Sequence, residues 1–117
     1  MDRDEYLKLK YVGGAAVFSV IGEIDHHSAK IIKNAVDAEL LVKRPESLIL
    51  DLSSVNFMDS SGLGLILGRY QTATKLGIEF SLNDPTPSVM KLIKLAGCER
   101  IIRIKRRIKN ETENKIS

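Results

Sequence analysis

Two adjacent serines lie where an apolar strand pattern gives way to an apolar helix pattern. Residues 57–68 read FMDSSGLGLILG, so Ser60 and Ser61 follow Asp59 and precede three glycines. A segment of this composition can cap a helix, bind a phosphate through backbone amides, or present a nucleophilic or modifiable hydroxyl. These alternatives predict different functions, and the rest of the sequence distinguishes between them.

Catalysis by a serine needs a base and an acid that orients the base. The chain has two histidines, the neighbours His26 and His27, and Met58 stands where the hydrolase pattern G-x-S-x-G would place a glycine before Ser60. A chain of 117 residues also has little length to spare for a substrate pocket. We therefore predict no catalytic residue, and a small serine hydrolase or nucleotide hydrolase is the less favoured alternative.

Dedicated nucleotide and metal sites fit the sequence poorly. A P-loop has a Lys-Ser/Thr pair after its second glycine, whereas Gly64 is followed by Leu65 and Ile66. Weak anion affinity at the start of the helix stays open. The acidic and histidine residues 25–27 are consecutive, so their side chains diverge on any regular element, and no Cys/His spacing is typical of zinc. We predict neither a metal nor another cofactor.

A modifiable docking loop explains more of the segment. One of the two serines is expected to cap the helix, but capping does not explain Gly62, Gly64 and Gly68, since each glycine in a helix costs about 1 kcal/mol against alanine. Gly62 and Gly64 predict backbone left open to a partner protein, with packing against the sheet as the alternative. A phosphoryl group on a serine of this loop would add about −1.5 to −2 charges at pH 7. A helix N-terminus stabilises such a charge, whereas the added bulk and charge would prevent a partner from docking over the loop.

Hydrophobic periodicity predicts the elements that position this loop. Strand patterns occupy residues 6–11, 15–21, 47–52, 78–82 and 101–104, and three helical patterns begin near residues 25–28, after the serine loop and at Pro87. The order β-β-α-β-α-β-α-β, with a hairpin turn at Gly13-Gly14, predicts a single α/β domain whose mixed, mostly parallel sheet packs with helices. We expect Gly22 to end the second strand, and the strand at 47–52 to be covered on both faces.

Composition and charge limit the class of protein. Hydrophobic residues make up 44% of the chain, which is enough for one folded domain. The lone Cys98, the charged N-terminus and the shortness of the apolar runs predict a cytoplasmic protein without a signal peptide or membrane segment. Residues 105–117 hold five basic and two acidic residues, so this segment carries a net charge equal to that of the whole chain, +3. We predict a polar basic tail or short frayed helix there, after a domain of residues 1–104, and no direct binding of nucleic acid.

Two stretches of the sequence resemble a known family. Residues 54–70, SVNFMDSSGLGLILGRY, closely resemble the signature of the anti-sigma factor antagonists of the STAS domain class. Residues 22–29, GEIDHHSA, resemble a second motif of the sporulation type, which acts on the sigma-F pathway. The resemblance extends over about residues 5–104 and implies a STAS-like fold.

The resemblance implies a regulator that is the substrate of an enzyme rather than an enzyme. Unphosphorylated members bind an anti-sigma factor that is itself a serine kinase, and so release the sigma factor. The kinase phosphorylates the first serine after the aspartate, which maps to Ser60, and a PP2C-type phosphatase reverses the modification. An antagonist in a stress-response sigma pathway is the alternative. The positions predicted to bind the partner are Asp25, Asp59, Ser61, Gly62, Leu63 and Gly64.

Overall fold

The computed structural model describes residues 5–106. Its strands are β1 (Leu7–Val12), β2 (Ala15–Ile24), β3 (Ser47–Met58), β4 (Glu79–Asn83) and β5 (Arg103–Lys105). Its helices are α1 (His26–Lys43), α2 (Ser60–Lys75) and α3 (Pro87–Leu95), with a short 3-10 turn at Cys98–Arg100. The element order predicted from the sequence is confirmed.

The sheet is mixed and mostly parallel, as predicted. Its strands lie in the order β1-β2-β3-β4-β5, with β1 antiparallel to β2 and every other neighbouring pair parallel. The β1–β2 hairpin turns at Gly13-Gly14, where Gly13 has a φ of 63° that glycine adopts without steric cost. All three helices contribute buried side chains to one core cluster with Leu48, Leu50 and Leu52 of β3, so they lie on one face of the sheet.

The core lies between this face and the helices. The fully buried side chains include Phe18, Ile32, Leu40, Leu48, Leu50, Leu52, Ile66, Leu82 and Ile93. The prediction that β3 is covered on both faces is wrong, because Ser47, Ile49 and Asp51 alternate with buried leucines and stay partly exposed. Alternating burial of this kind is typical of a sheet that carries helices on one face only.

Two strands run further than their patterns predicted. Gly22 does not end β2, which continues to Ile24, and β3 extends from its predicted end at residue 52 to Met58. Register shifts between β2 and β3 accompany these extensions, and Gly22 stands at one of them with a φ of 88°. A glycine at positive φ accommodates such a bulge, so the chain bends locally and the strand carries on.

The C-terminal predictions are only partly covered by the described residues. The last strand forms at Arg103–Lys105, slightly later than the predicted 101–104. The boundary at residue 104 stays a prediction, since residues 107–117 of the predicted tail lie outside the described range. None of the helices within residues 5–106 is long and apolar enough to cross a membrane.

Candidate functional site

The ends of β2 and β3 bring two distant sequence segments together. Ile24 pairs with Met58, and the Asp59 amide donates to the Ile24 carbonyl oxygen at 3.2 Å. Asp25 and Asp59 directly follow these two strands and are the N-caps of α1 and α2. Two of the predicted partner-binding residues therefore lie side by side at the carboxyl edge of the parallel strands.

The start of α1 is closed by a capping box. The Ser28 amide donates to Asp25 Oδ1 at 2.9 Å, and the Asp25 amide donates to Ser28 Oγ at 3.0 Å. Asp25 is the N-cap of α1, and Ser28 is the third helical residue. The hydrogen bond from the Ser28 amide lowers the pKa of the Asp25 carboxyl, so this side chain is a fixed negative charge at neutral pH.

The start of α2 is capped by an acid and not by a serine. Asp59 Oδ1 accepts from the Ser61 amide at 2.8 Å, and the Asp59 carbonyl oxygen accepts from the Gly62 amide at 2.9 Å. The expectation that Ser60 or Ser61 caps this helix is therefore wrong. Ser60 is the first helical residue and is exposed, and its hydroxyl has no hydrogen-bond partner among residues 5–106. The fold does not depend on this hydroxyl, which leaves it available for modification.

The glycines after the serines have different roles. Gly62 is buried, and a Cβ on it would collide with the buried Met58 side chain and lie 3.3 Å from Ile24 Cγ2. A Cβ on Gly64 or Gly68 would meet no heavy atom within 4 Å. The packing alternative therefore holds for Gly62, and the prediction that Gly62 leaves backbone open to a partner is wrong.

The other predicted partner residues remain at the surface to different degrees. Gly64 is exposed, Ser61 is half-buried, and Leu63 is half-buried because it packs against the core cluster. Ser61 and Gly64 both line an open groove of about 430 Å³ between α1 and α2. Ser60 and Gly64 are thus exposed, Ser61 is partly exposed, and Gly62 is packed inside the domain.

An ion-pair network that the sequence did not predict holds α1 against α2. Arg69 Nε lies 2.9 Å from Asp37 Oδ1, and Lys33 Nζ lies 3.2 Å from Asp37 Oδ2. Arg69 is only 5% exposed, because its place between Ile66 and Ala73 puts it on the inner face of α2. The helical spacing from Ile66 to Ala73 could have predicted that Arg69 faces inward. It could not have predicted its partner Asp37, which lies on another helix.

The paired histidines are the first two residues of α1 and are exposed. The His27 ring meets the Tyr6 ring edge-on, with the ring centroids 6.3 Å apart. Across residues 5–106, no group of three or more His, Cys, Asp or Glu side chains could hold a metal ion.

Replacing the cap of α2 tests its local role. Asp59→Ala should lower the free energy of unfolding by about 1 kcal/mol, because the Ser61 amide loses its acceptor. Asp59→Ser should recover most of this loss, since a serine hydroxyl can accept the same hydrogen bond. Urea denaturation measures both values. Equal losses in the two variants would show that the carboxylate charge, and not capping, stabilises this end of the helix.

Comparison with known proteins places the chain in a family. The STAS domain model matches residues 6–111. The anti-sigma F factor antagonist of Paenibacillus polymyxa is 33% identical over 98 residues, which are 84% of each chain. The anti-sigma-B factor antagonist of Listeria monocytogenes is 34% identical over 86 residues, 74% of this chain and 75% of the other.

A solved structure agrees with this placement. The anti-sigma factor antagonist SpoIIAA in its unphosphorylated form superposes with a TM-score of 0.77 at 25% identity, over 94% of this chain and 95% of the other. The chain therefore belongs to the STAS domain family and, within it, to the anti-sigma factor antagonists. The resemblance seen in the serine-loop signature is confirmed.

Proposed function

We propose that the unphosphorylated chain binds an anti-sigma factor kinase, releases the sigma factor held by that kinase, and loses this activity when Ser60 is phosphorylated. The observation that supports this most strongly is the position of Ser60. Its hydroxyl is exposed at the first position of α2, while Asp59 performs the capping that a serine would otherwise provide. The chain then acts as a kinase substrate, and a PP2C-type phosphatase restores it.

The charges of the site explain how one phosphate could end binding without unfolding the domain. The dipole of α2 favours negative charge at Ser60 by up to about 1 kcal/mol. The Ser61 and Gly62 amides already donate to Asp59, so neither is free to bind a phosphate on Ser60. The helix dipole would then be the main contribution that stabilises the phosphate. A partner seated over the loop would meet a bulky, hydrated group of about −1.5 to −2 charges next to Asp25 and Asp59.

We assign the chain to the sigma-F pathway of sporulation. The Paenibacillus polymyxa relative, an anti-sigma F factor antagonist, matches over 84% of the chain. A sigma-B stress pathway is the second candidate, because the Listeria monocytogenes anti-sigma-B factor antagonist is 34% identical over 74% of the chain. Binding of the chain to purified anti-sigma-F and anti-sigma-B factors of its own organism would separate the two.

Phosphosite mapping tests the proposed function. We expect incubation with the cognate kinase and ATP to add a single phosphate to Ser60, because that hydroxyl is exposed and unbonded. The cognate kinase is the kinase-type anti-sigma factor of the same organism. Ser60→Ala should remain unmodified, and Ser61→Ala should still be phosphorylated. Peptide mass mapping that located the phosphate on Ser61 would contradict the role given to Ser60.

A further inference from the structure

A β-bulge turns an aromatic side chain outward beside the serine loop. Consecutive residues of β2 pair with Val55 and Phe57, which leaves Asn56 without a partner on β2. One extra residue reverses which side chains face the core, so Met58 is buried and Phe57 is 50% exposed. Burying a phenylalanine stabilises a fold by about 1.5–3 kcal/mol. An exposed Phe57, close in sequence to Ser60, therefore brings the isolated domain little stability.

Leu95 extends the same apolar surface from α3. Val89 and Ile93 on the same helix are buried, whereas Leu95 is 77% exposed. Phe57 and Leu95 line one groove of about 200 Å³. The groove, here called the Phe57–Leu95 groove, is completed by Met58, Ser88, Lys91 and Leu92. Clustered exposed apolar side chains of this kind are typical of interaction sites.

The rim of the groove is positively charged. The sequence of α3, PSVMKLIKL, contains Lys91 and Lys94 and no acidic residue, and both lysines are exposed. Lys91 lines the groove, and both lysines also line a neighbouring hollow with Arg106. A complementary partner surface has an apolar side chain for the groove and carboxylates for its rim.

We propose that the Phe57–Leu95 groove anchors the anti-sigma factor kinase through an apolar side chain of the kinase that is flanked by acidic residues. This inference rests on the proposed function. It adds a surface that supplies affinity for the kinase, distinct from the Ser60 hydroxyl whose phosphorylation ends binding. The lysines of α3 would attract those acidic residues, and the switch stays with the hydroxyl of Ser60.

A charge placed in the groove tests the inference. We expect Leu95→Asp in the full chain to weaken binding of the cognate kinase in ADP by about tenfold or more, because truncation or charging of a central apolar anchor has a large effect. Lys91→Glu should weaken binding mainly through the association rate and reduce its dependence on salt. Surface plasmon resonance at two salt concentrations measures both. The matched control is Leu41→Asp, since Leu41 is 61% exposed near the far end of α1.

The outcomes separate the groove from the proposed function. Melting temperatures verify that each variant is folded, and Leu95→Ala replaces Leu95→Asp if the latter is not. If Leu95→Asp binds with wild-type affinity and Ser60 is still phosphorylated, the groove does not anchor the kinase, and the proposed function stands. Equal loss of kinase affinity in Leu95→Asp and Leu41→Asp would also contradict a specific role of the groove. If the wild-type chain is neither bound nor phosphorylated, the proposed function itself fails.

Discussion

Ser60→Asp should lower the affinity for the cognate kinase by at least about 100-fold, since like charges brought together in an interface cost several kcal/mol. The free energy of unfolding should change by no more than about 0.5 kcal/mol, as for other exposed positions without a structural role. Ser60 is exposed and its hydroxyl has no partner in the part of the chain that the structure describes. Isothermal titration calorimetry and urea denaturation measure the two quantities.

Neutral substitutions at the same position separate charge from size. The asparagine side chain of Ser60→Asn has nearly the shape of aspartate but no charge. Ser60→Asn should therefore bind the kinase more tightly than Ser60→Asp. Ser60→Ala should bind like the wild type and stay bound in ATP, because it cannot be phosphorylated. Loss of folding in Ser60→Asp would show that the dipole of α2 does not stabilise charge at this position. Wild-type affinity in Ser60→Asp would exclude charge as the switch.

Gly62→Ala should destabilise the domain by about 1–3 kcal/mol, which is the usual cost of overpacking a core. A Cβ at this position collides with the Met58 side chain, which is only 7% exposed. Gly64→Ala should instead stabilise the domain by about 1 kcal/mol, because alanine favours the helix and its Cβ meets open space. Urea denaturation of the two variants should give shifts of opposite sign.

Kinase binding by these variants shows which glycine a partner contacts. Gly64 and Gly68 both lie open in the groove between α1 and α2, so Gly68→Ala is a matched control for Gly64→Ala. Weaker binding by Gly64→Ala alone would identify Gly64 as a point of close approach. A gain of stability in Gly62→Ala would show that Met58 moves aside, contrary to the packing role assigned to Gly62.

Local sequence signals predicted the order of the elements because each depends on neighbouring residues. Gly13-Gly14 marks the hairpin, and Gly77 and Gly97 stand at positive φ just after α2 and α3. The bulges of β3 were not predicted, because register depends on pairing with β2, a distant segment. The outward turn of Phe57 follows from that register and was missed for the same reason.

The serine loop shows the same limit at the level of single residues. Residues 59–61 can each cap a helix; we expected Ser60 or Ser61 to cap α2, and the structure assigns the cap to Asp59. The position of Ser60 at a helix start followed from sequence alone. The burial of Gly62 did not, since it depends on where β3 places Met58. The Arg69–Asp37 pair joins two helices and has no local signature.

The most direct test of the phosphorylation switch is native mass spectrometry of the unmodified chain mixed with its cognate kinase, first in ADP and then after addition of ATP. We predict a complex in ADP. After ATP is added, we predict free, folded chain that carries one phosphate on Ser60. A chain that carries this phosphate and remains bound to the kinase would contradict the switch.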